Sequence, residues 1–240
     1  KILNKQKKDI AILIIEPIQQ SLPLIKSEKY IKQIFKYCKK NNILICFDEM
    51  ITGLRLPEFS VFKKLKIIPD ILTFGKIFGG GVPIGIIGLT KKIEKALNKN
   101  MVFFGGTYSF NPLSSFLGLN TVSFILKNRI KIFKKLEVLS KYLTNSLNEF
   151  TEINNIDVKL IRYASVIRII FTKKSLQNKI QKDQEESKKI KKINKFKKFV
   201  FQKKIHLSKN GAIFLSYENS KKDIDYILKI FKYGFKKFLA

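Results

Sequence analysis

The chain has 240 residues, of which 45% are hydrophobic and 28% are charged, and it carries a formal net charge of +30. This length and apolar content exclude a disordered chain and allow a buried core in one large domain or two modest ones. The positive charge comes from lysines spread over the whole chain and from only four arginines, so a bias of composition explains it at least as well as nucleic-acid binding, which stays the less favoured alternative.

Cysteine content and the length of the apolar runs restrict the cellular setting and the partners. Cys38 and Cys46 are too few for a disulfide framework, lack metal-ligand spacing and stand among apolar residues. We therefore expect buried free thiols, a cytoplasmic protein and no metal site. The longest apolar runs, such as residues 10–15, are much shorter than the ~20 residues of a membrane-spanning helix, so we expect no membrane partner.

Short apolar runs alternate with helical patterns in the first half of the chain. The spacing of apolar residues predicts a helix over 28–40. The apolar runs predict four strands, at residues 10–15, 43–47, 71–74 and 84–89. Continuous apolar strands separated by helices are typical of a mostly parallel sheet that is covered on both faces. Open sheets of this kind bind ligands beyond the carboxyl ends of their strands.

A long helical pattern opens the second half of the chain, from residue 111 to about 150, with a break near 128. The elements that follow are strands at 157–161, 166–171 and 212–216, a polar segment at 173–192, an amphipathic helix ending near 204 and another beginning near 223. These patterns predict an α/β chain with a boundary near residue 128, which separates residues 1–128 from residues 129–240.

Three polar residues stand at or near the ends of apolar segments. Asp48 lies in FDEMITGLR, Lys76 lies in FGKIFGGGVPIG, and Thr107 follows two glycines in FFGGTYSFNP. A lysine that forms a Schiff base, a carboxylate that pairs with a pyridine nitrogen and a hydroxyl beside glycines that binds phosphate are the parts of a pyridoxal phosphate site. Asp48 alone fits a magnesium ligand of a nucleotide hydrolase equally well, but the GxxxxGK[ST] phosphate loop is absent from the sequence.

The order and surroundings of these residues resemble the class III pyridoxal-phosphate-dependent aminotransferases, above all the glutamate-1-semialdehyde 2,1-aminomutases and similar aminotransferase domains. The motifs that carry the resemblance are IIEPIQQSLP, LICFDEMITGLR, PDILTFGKIFGGGVPIGIIG and FFGGTYSFNPLSSFLGLN. The resemblance implies the fold type I architecture of pyridoxal-phosphate-dependent transferases. Residues 1–128 would be the C-terminal part of the mostly parallel large cofactor domain, and residues 129–240 would be the small α/β domain.

The resemblance also implies roles for single residues. Lys76 would form the internal aldimine with pyridoxal 5'-phosphate and then move protons, while Asp48 would pair with the pyridine nitrogen. Met50 would pack against the ring, and Gly106 and Thr107 would bind the phosphate of the cofactor held by the opposite subunit. The implied protein is therefore a homodimer with a shared site that transfers amino groups of a small amino or keto substrate.

Two further residues of the family's motifs have less specific expectations. Glu16 ends its strand beside the site, where a supporting role for the site and a purely structural role are both open. Arg55 follows the pattern DExxTGxR and is expected to be a structural ion-pair partner.

The chain also departs from the family, whose members are longer and place a phosphate-binding loop and most substrate contacts in a preceding segment. Three explanations stay open: a fragment, a subunit that needs a separately encoded N-terminal half, or a truncated remnant without activity. In the C-terminal segment, Tyr217, Glu218 and Asn219 replace the residues usual in the family, which leaves the substrate undetermined.

Overall fold

The computed structural model describes residues 2–24, 26–103, 105–208 and 211–240. The strands in these residues are β1 (Ile12–Ile15), β2 (Leu44–Asp48), β3 (Ile71–Gly75), β4 (Gly85–Leu89), β5 (Lys159–Tyr163), β6 (Val166–Ile170) and β7 (Ala212–Phe214). The helices are α1 (Ile2–Gln6), α2 (Ser27–Lys40), α3 (Val61–Leu65), α4 (Lys91–Lys99), α5 (Pro112–Lys127), α6 (Arg129–Ile153), α7 (Lys179–Ser187), α8 (Ile190–Gln202) and α9 (Lys221–Leu239). A single 3-10 turn, Lys76–Gly79, follows β3.

The described chain divides into two compact units. The first contains Lys1–Ile18 and Lys26–Ile130, and the second contains Gln19–Ile25 and Lys131–Ala240. The predicted break near residue 128 is a helix boundary, because α5 ends at Lys127 and α6 begins at Arg129.

The first unit is built on a four-stranded sheet in the order β1-β2-β3-β4. The first three strands are parallel, which confirms the predicted mostly parallel sheet, and β4 runs antiparallel to β3. The reason for the reversal is the short connection over residues 76–84, since a parallel crossover needs a dozen residues or more.

The strands of this sheet differ in how well they are covered. The central strand β2 is buried, with Ile45 and Phe47 at 0% exposure, and α2 contributes the buried Ile31 and Cys38. In contrast, Ile14 on β1 and Ile87 on β4 are 66% and 61% exposed. The expectation of a sheet covered on both faces is therefore correct for β2 and wrong for the outer strands of the described chain.

The second unit contains the antiparallel sheet β5-β6-β7. Phe196 of α8 packs against Phe231 and Phe235 of α9, with ring centroids 5.5 and 5.0 Å away, which confirms the predicted amphipathic helix ending near residue 204. The polar segment 173–192 forms α7 and the first turn of α8. Among the described helices of both units, none combines the length and the apolar character that crossing a bilayer requires.

Candidate functional site

Three predicted site residues follow the carboxyl ends of neighbouring strands. Because β1, β2 and β3 are parallel, Glu16, Asp48 and Lys76 stand at the same edge of the sheet. Asp48 is the last residue of β2 and pairs with Thr73, three residues before Lys76. The topology thus brings together a carboxylate and an amine that are 28 positions apart in the sequence.

Asp48 is held in one orientation by two donors on the same oxygen. Its Oδ1 accepts a hydrogen bond from the backbone N–H of Met50 at 3.0 Å and from the hydroxyl of Thr73 at 3.2 Å. None of the described residues donates a hydrogen bond to Oδ2, which can therefore bind a further donor. Sequence reasoning missed Thr73, since only the strand register places its hydroxyl beside Asp48.

Lys76 begins the turn after β3 in an unusual backbone conformation. Its φ is 51°, in the left-handed region that side chains other than glycine seldom adopt, and its side chain is exposed. No salt bridge joins Lys76 to a carboxylate of the described residues, so its amine is available for chemistry.

Gly75 connects the strand to this lysine and is closely packed. A Cβ at this position would lie 2.6 Å from Met50 Cε and 2.7 Å from the carbonyl oxygen of Ile84. The side chain of Met50 therefore packs against the backbone just before Lys76. Its predicted contact with a cofactor ring stays a prediction.

Glu49, which sequence reasoning left without a role, is fully buried beside this edge. Its Oε2 accepts hydrogen bonds from the Thr52 hydroxyl at 2.8 Å and the Val61 N–H at 2.7 Å, and its Oε1 accepts one from the Phe62 N–H at 2.9 Å. Burial raises the pKa of Glu49, and the three hydrogen bonds oppose that rise. Glu49 and Thr52 both stand in the DExxTGxR pattern, but the backbone N–H partners of Glu49 lie 12 and 13 positions downstream, so the pattern does not reveal what its carboxylate binds.

The remaining predicted residues are more loosely tied to this edge. Gly106 and Thr107 are exposed in the segment before α5, where the Gly106 carbonyl accepts a hydrogen bond from the Ser109 N–H at 2.9 Å. Within the described part of the chain, no hydrogen bond joins either residue to Asp48 or Lys76. Glu16 is exposed at the end of β1, and burial lowers the pKa of Arg55.

The edge fits pyridoxal 5'-phosphate in two respects. The Oδ2 of Asp48 can pair with a protonated pyridine nitrogen, and the exposed amine of Lys76 can react with an aldehyde. Asp48 ends β2 and Lys76 directly follows the adjacent strand β3, so the register of these two strands fixes their relative placement.

Comparison with known proteins agrees with this chemistry. Residues 1–192 match the family described as aminotransferase class III. The chain is 34% identical over 180 residues to the glutamate-1-semialdehyde 2,1-aminomutase of Methanocaldococcus jannaschii, covering 74% of this chain and 42% of that protein. The chain spans about half the length of the curated relatives it matches, with shares of 40–54% in the first four.

Solved structures share the fold. An omega-transaminase from Sphaerobacter thermophilus superposes with a TM-score of 0.86 at 18% identity, over 98% of this chain and 54% of its own. A protein of a Sphingopyxis species, solved in its PLP internal aldimine form, gives a TM-score of 0.78 at 17% identity over 98% of this chain and 54% of its own. The α/β architecture is therefore the fold type I architecture predicted from the sequence.

Proposed function

Since the chain belongs to the class III aminotransferases, we propose that it supplies the cofactor-binding lysine and aspartate of an enzyme that transfers amino groups with pyridoxal 5'-phosphate. The observation that carries the proposal is the placement of Asp48 and Lys76 at the carboxyl ends of adjacent parallel strands. The substrate is a small amino or keto compound, and the reaction is that of an aminotransferase or an aminomutase. We place the enzyme in the cytoplasm, in keeping with its two free buried thiols.

Each residue of the edge has a separate task. Pyridoxal 5'-phosphate, when bound, supplies an electron sink for the substrate carbon that bears the amino group. Lys76 holds the cofactor through its amine and carries a proton on Nζ to and from the substrate. Asp48 holds the pyridine nitrogen through Oδ2, while the Met50 N–H and the Thr73 hydroxyl keep the carboxylate from rotating away.

We also propose that two copies of the chain form the active unit, with Gly106 and Thr107 binding the cofactor phosphate of the opposite copy. The segment around them exposes large apolar side chains, among them Phe103 and Phe110 at 86% and 89%. Apolar groups exposed at this level mark a surface that a partner covers. A second copy is the partner that also brings two phosphate donors to a cofactor.

Addition of pyridoxal phosphate tests the proposed function. We expect the protein to develop a visible absorption band that disappears on borohydride reduction, as the reduced C–N bond leaves the cofactor covalently attached to the peptide that contains Lys76. Lys76→Ala is expected to lose the saturable part of this band. Assays with amino donors and keto acceptors then distinguish an aminotransferase from an aminomutase.

The control addresses the chain's 44 lysines, many of which can react weakly with an aldehyde. Lys95→Ala, which removes an exposed lysine on α4, is expected to keep the full band. A band of equal size in the Lys76→Ala and Lys95→Ala variants, or no band in either the parent protein or its variants, would contradict the proposed function.

A further inference from the structure

Glu49 is a buried carboxylate that the proposed chemistry does not use. We infer that it is a positioning residue for the cofactor site, which fixes the strand end that orients Asp48 and the turn that presents Lys76. The inference rests on the proposed function.

The first step is the way Glu49 is anchored. Its three hydrogen bonds reach the Thr52 hydroxyl and the first two N–H groups of α3, those of Val61 and Phe62. These helical N–H groups have no partner within their own helix, so Glu49 caps α3 from a distance of 12 positions. A carboxylate with 0% exposure and three donors cannot rotate without leaving several buried polar groups unpaired.

The second step links this anchor to Asp48. Glu49 follows Asp48 directly at the end of β2, so a single peptide unit joins the two anchored carboxylates. The N–H of Glu49 also donates to the Thr73 carbonyl at 3.0 Å, while the Thr73 hydroxyl donates to Asp48 at 3.2 Å. Release of the Glu49 side chain would therefore loosen the peptide that sets the direction of Asp48.

The third step links the anchor to Lys76. The Gly53 N–H donates to the Glu49 carbonyl at 2.9 Å, which closes a turn over residues 49–53. A Cβ on Gly53 would lie 2.8 Å from both the Phe74 and Phe78 rings, the residues two positions before and after Lys76. The turn anchored by Glu49 therefore packs directly on the segment that holds Lys76 in its left-handed conformation.

The test compares Glu49→Gln with the parent protein in pyridoxal phosphate titrations. A glutamine carbonyl can still accept from one of the two backbone N–H groups, but its amide N–H then opposes the other, which pushes the strand end out of place. We expect the dissociation constant of the cofactor to rise between about tenfold and a hundredfold, because a small displacement of Asp48 or Lys76 weakens the contacts that hold the cofactor. The pH midpoint of the visible band is expected to move by about half a unit. The reason is that the protonated and neutral forms of the bound cofactor then interact differently with Asp48.

Asp70→Asn is the matched control, because Asp70 is also a buried carboxylate bound to backbone. It pairs with Lys39 at 2.6 Å and accepts from the Ile45 N–H at 3.0 Å, but it precedes β3 at the opposite edge of the sheet. We expect this variant to lose thermal stability while its cofactor affinity and pH midpoint stay unchanged. A purely structural Glu49 would behave in the same way.

Thr52→Val covers the case in which Glu49→Gln does not fold, since it removes only one of the three donors. It is expected to change the cofactor affinity and the pH midpoint of the band in the same direction as Glu49→Gln, but by a smaller amount. Unchanged affinity and midpoint in the folded variants would overturn the inference while the parent protein still forms its band. Absence of the band in the parent protein would instead overturn the proposed function.

Discussion

Arg168 and Lys182 are two cations buried in the second unit, each with 2% exposure. Lys182 is paired, with its Nζ 2.8 Å from an Asp183 oxygen and 2.9 Å from a Glu186 oxygen. Arg168 lies in the central strand β6 between Ile161 and Ala212, and its Nε and Nη1 have no hydrogen-bond acceptor among the described residues. Burial lowers the pKa of Arg168, and the charges of Glu186 and Asp183 only partly oppose this effect.

We predict that Arg168→Met leaves the free energy of unfolding within about 1 kcal/mol of the parent value or raises it. Two buried guanidinium nitrogens without acceptors cost about 1–3 kcal/mol each, which offsets the attraction of the guanidinium to the nearby carboxylates. Denaturant unfolding with a second-unit probe, such as the exchange of β6 amides, measures the change.

Lys182→Met is the comparison, since it removes a cation that is fully paired. We expect the free energy of unfolding to fall by about 3 kcal/mol, because Glu186, whose side chain is only 17% exposed, loses its ammonium partner. If Arg168→Met and Lys182→Met lower the free energy of unfolding equally, the guanidinium nitrogens of Arg168 have hydrogen-bond acceptors in solution.

The packing of α5 on the turn after β3 is the contact between elements that most directly supports the lysine. At Gly118 the helix passes so close that a Cβ would lie 2.8 Å from the carbonyl oxygen of Phe78. Backbone cannot yield as a flexible side chain does, so the helix itself must move if Gly118 gains a side chain.

Gly118→Ala is therefore expected to lower the free energy of unfolding by about 2 kcal/mol, the usual cost of overpacking. An alanine in an unhindered helix would instead gain about 1 kcal/mol over glycine. The sign of the change in the free energy of unfolding, measured with urea, thus reports whether Gly118 and the Phe78 carbonyl lie this close in solution. Gly85→Ala, where a Cβ meets nothing within 4 Å, is expected to change stability little and serves as the control.

Local patterns were sufficient to predict most elements of the chain. The apolar run ending at Asp48 and the amphipathic spacing before it gave β2 and α2, because both depend on which side chains face a core. The helices α3 and α4 were not predicted, and for α3 the reason is that its five residues are too few for a periodic signal. To predict that β4 runs antiparallel to β3, one must know how short the connection between the two strands is.

The candidate site likewise contains residues that local patterns predict and residues that only the fold reveals. The motifs indicated Asp48 and Lys76 as residue types in their family order, and the parallel strands place both at one edge. The residues that hold them, Thr73 and Glu49, were not identifiable, since their roles arise from strand register and from contacts across 12 to 25 positions. Glu49 lies within the DExxTGxR pattern, but that pattern does not reveal which groups its carboxylate binds.

At the scale of the whole chain, strong positive charge coexists with a large exposed apolar surface. Among the described residues of the segment 101–130, ten large apolar side chains are more than half exposed: Met101, Phe103, Tyr108, Phe110, Leu113, Phe116, Leu119, Phe124, Leu126 and Ile130. At on the order of 100 Å² each, they offer roughly the 800 Å² per partner that a stable interface buries. The net charge of +30 opposes the association of two copies.

We predict that salt strengthens the proposed dimer. Raising sodium chloride from 0.1 to 1 M shortens the screening length from about 10 Å to about 3 Å, which weakens repulsion between the two chains and leaves apolar burial intact. Sedimentation equilibrium should show the dissociation constant falling about tenfold or more, a change of about 1.4 kcal/mol. Phe116→Glu with Leu119→Glu is expected to give monomer at every salt concentration, whereas Ile180→Glu, at a residue 69% exposed on α7, should behave like the parent protein. A dimer that weakens with salt would show that ion pairs rather than the apolar segment hold it together.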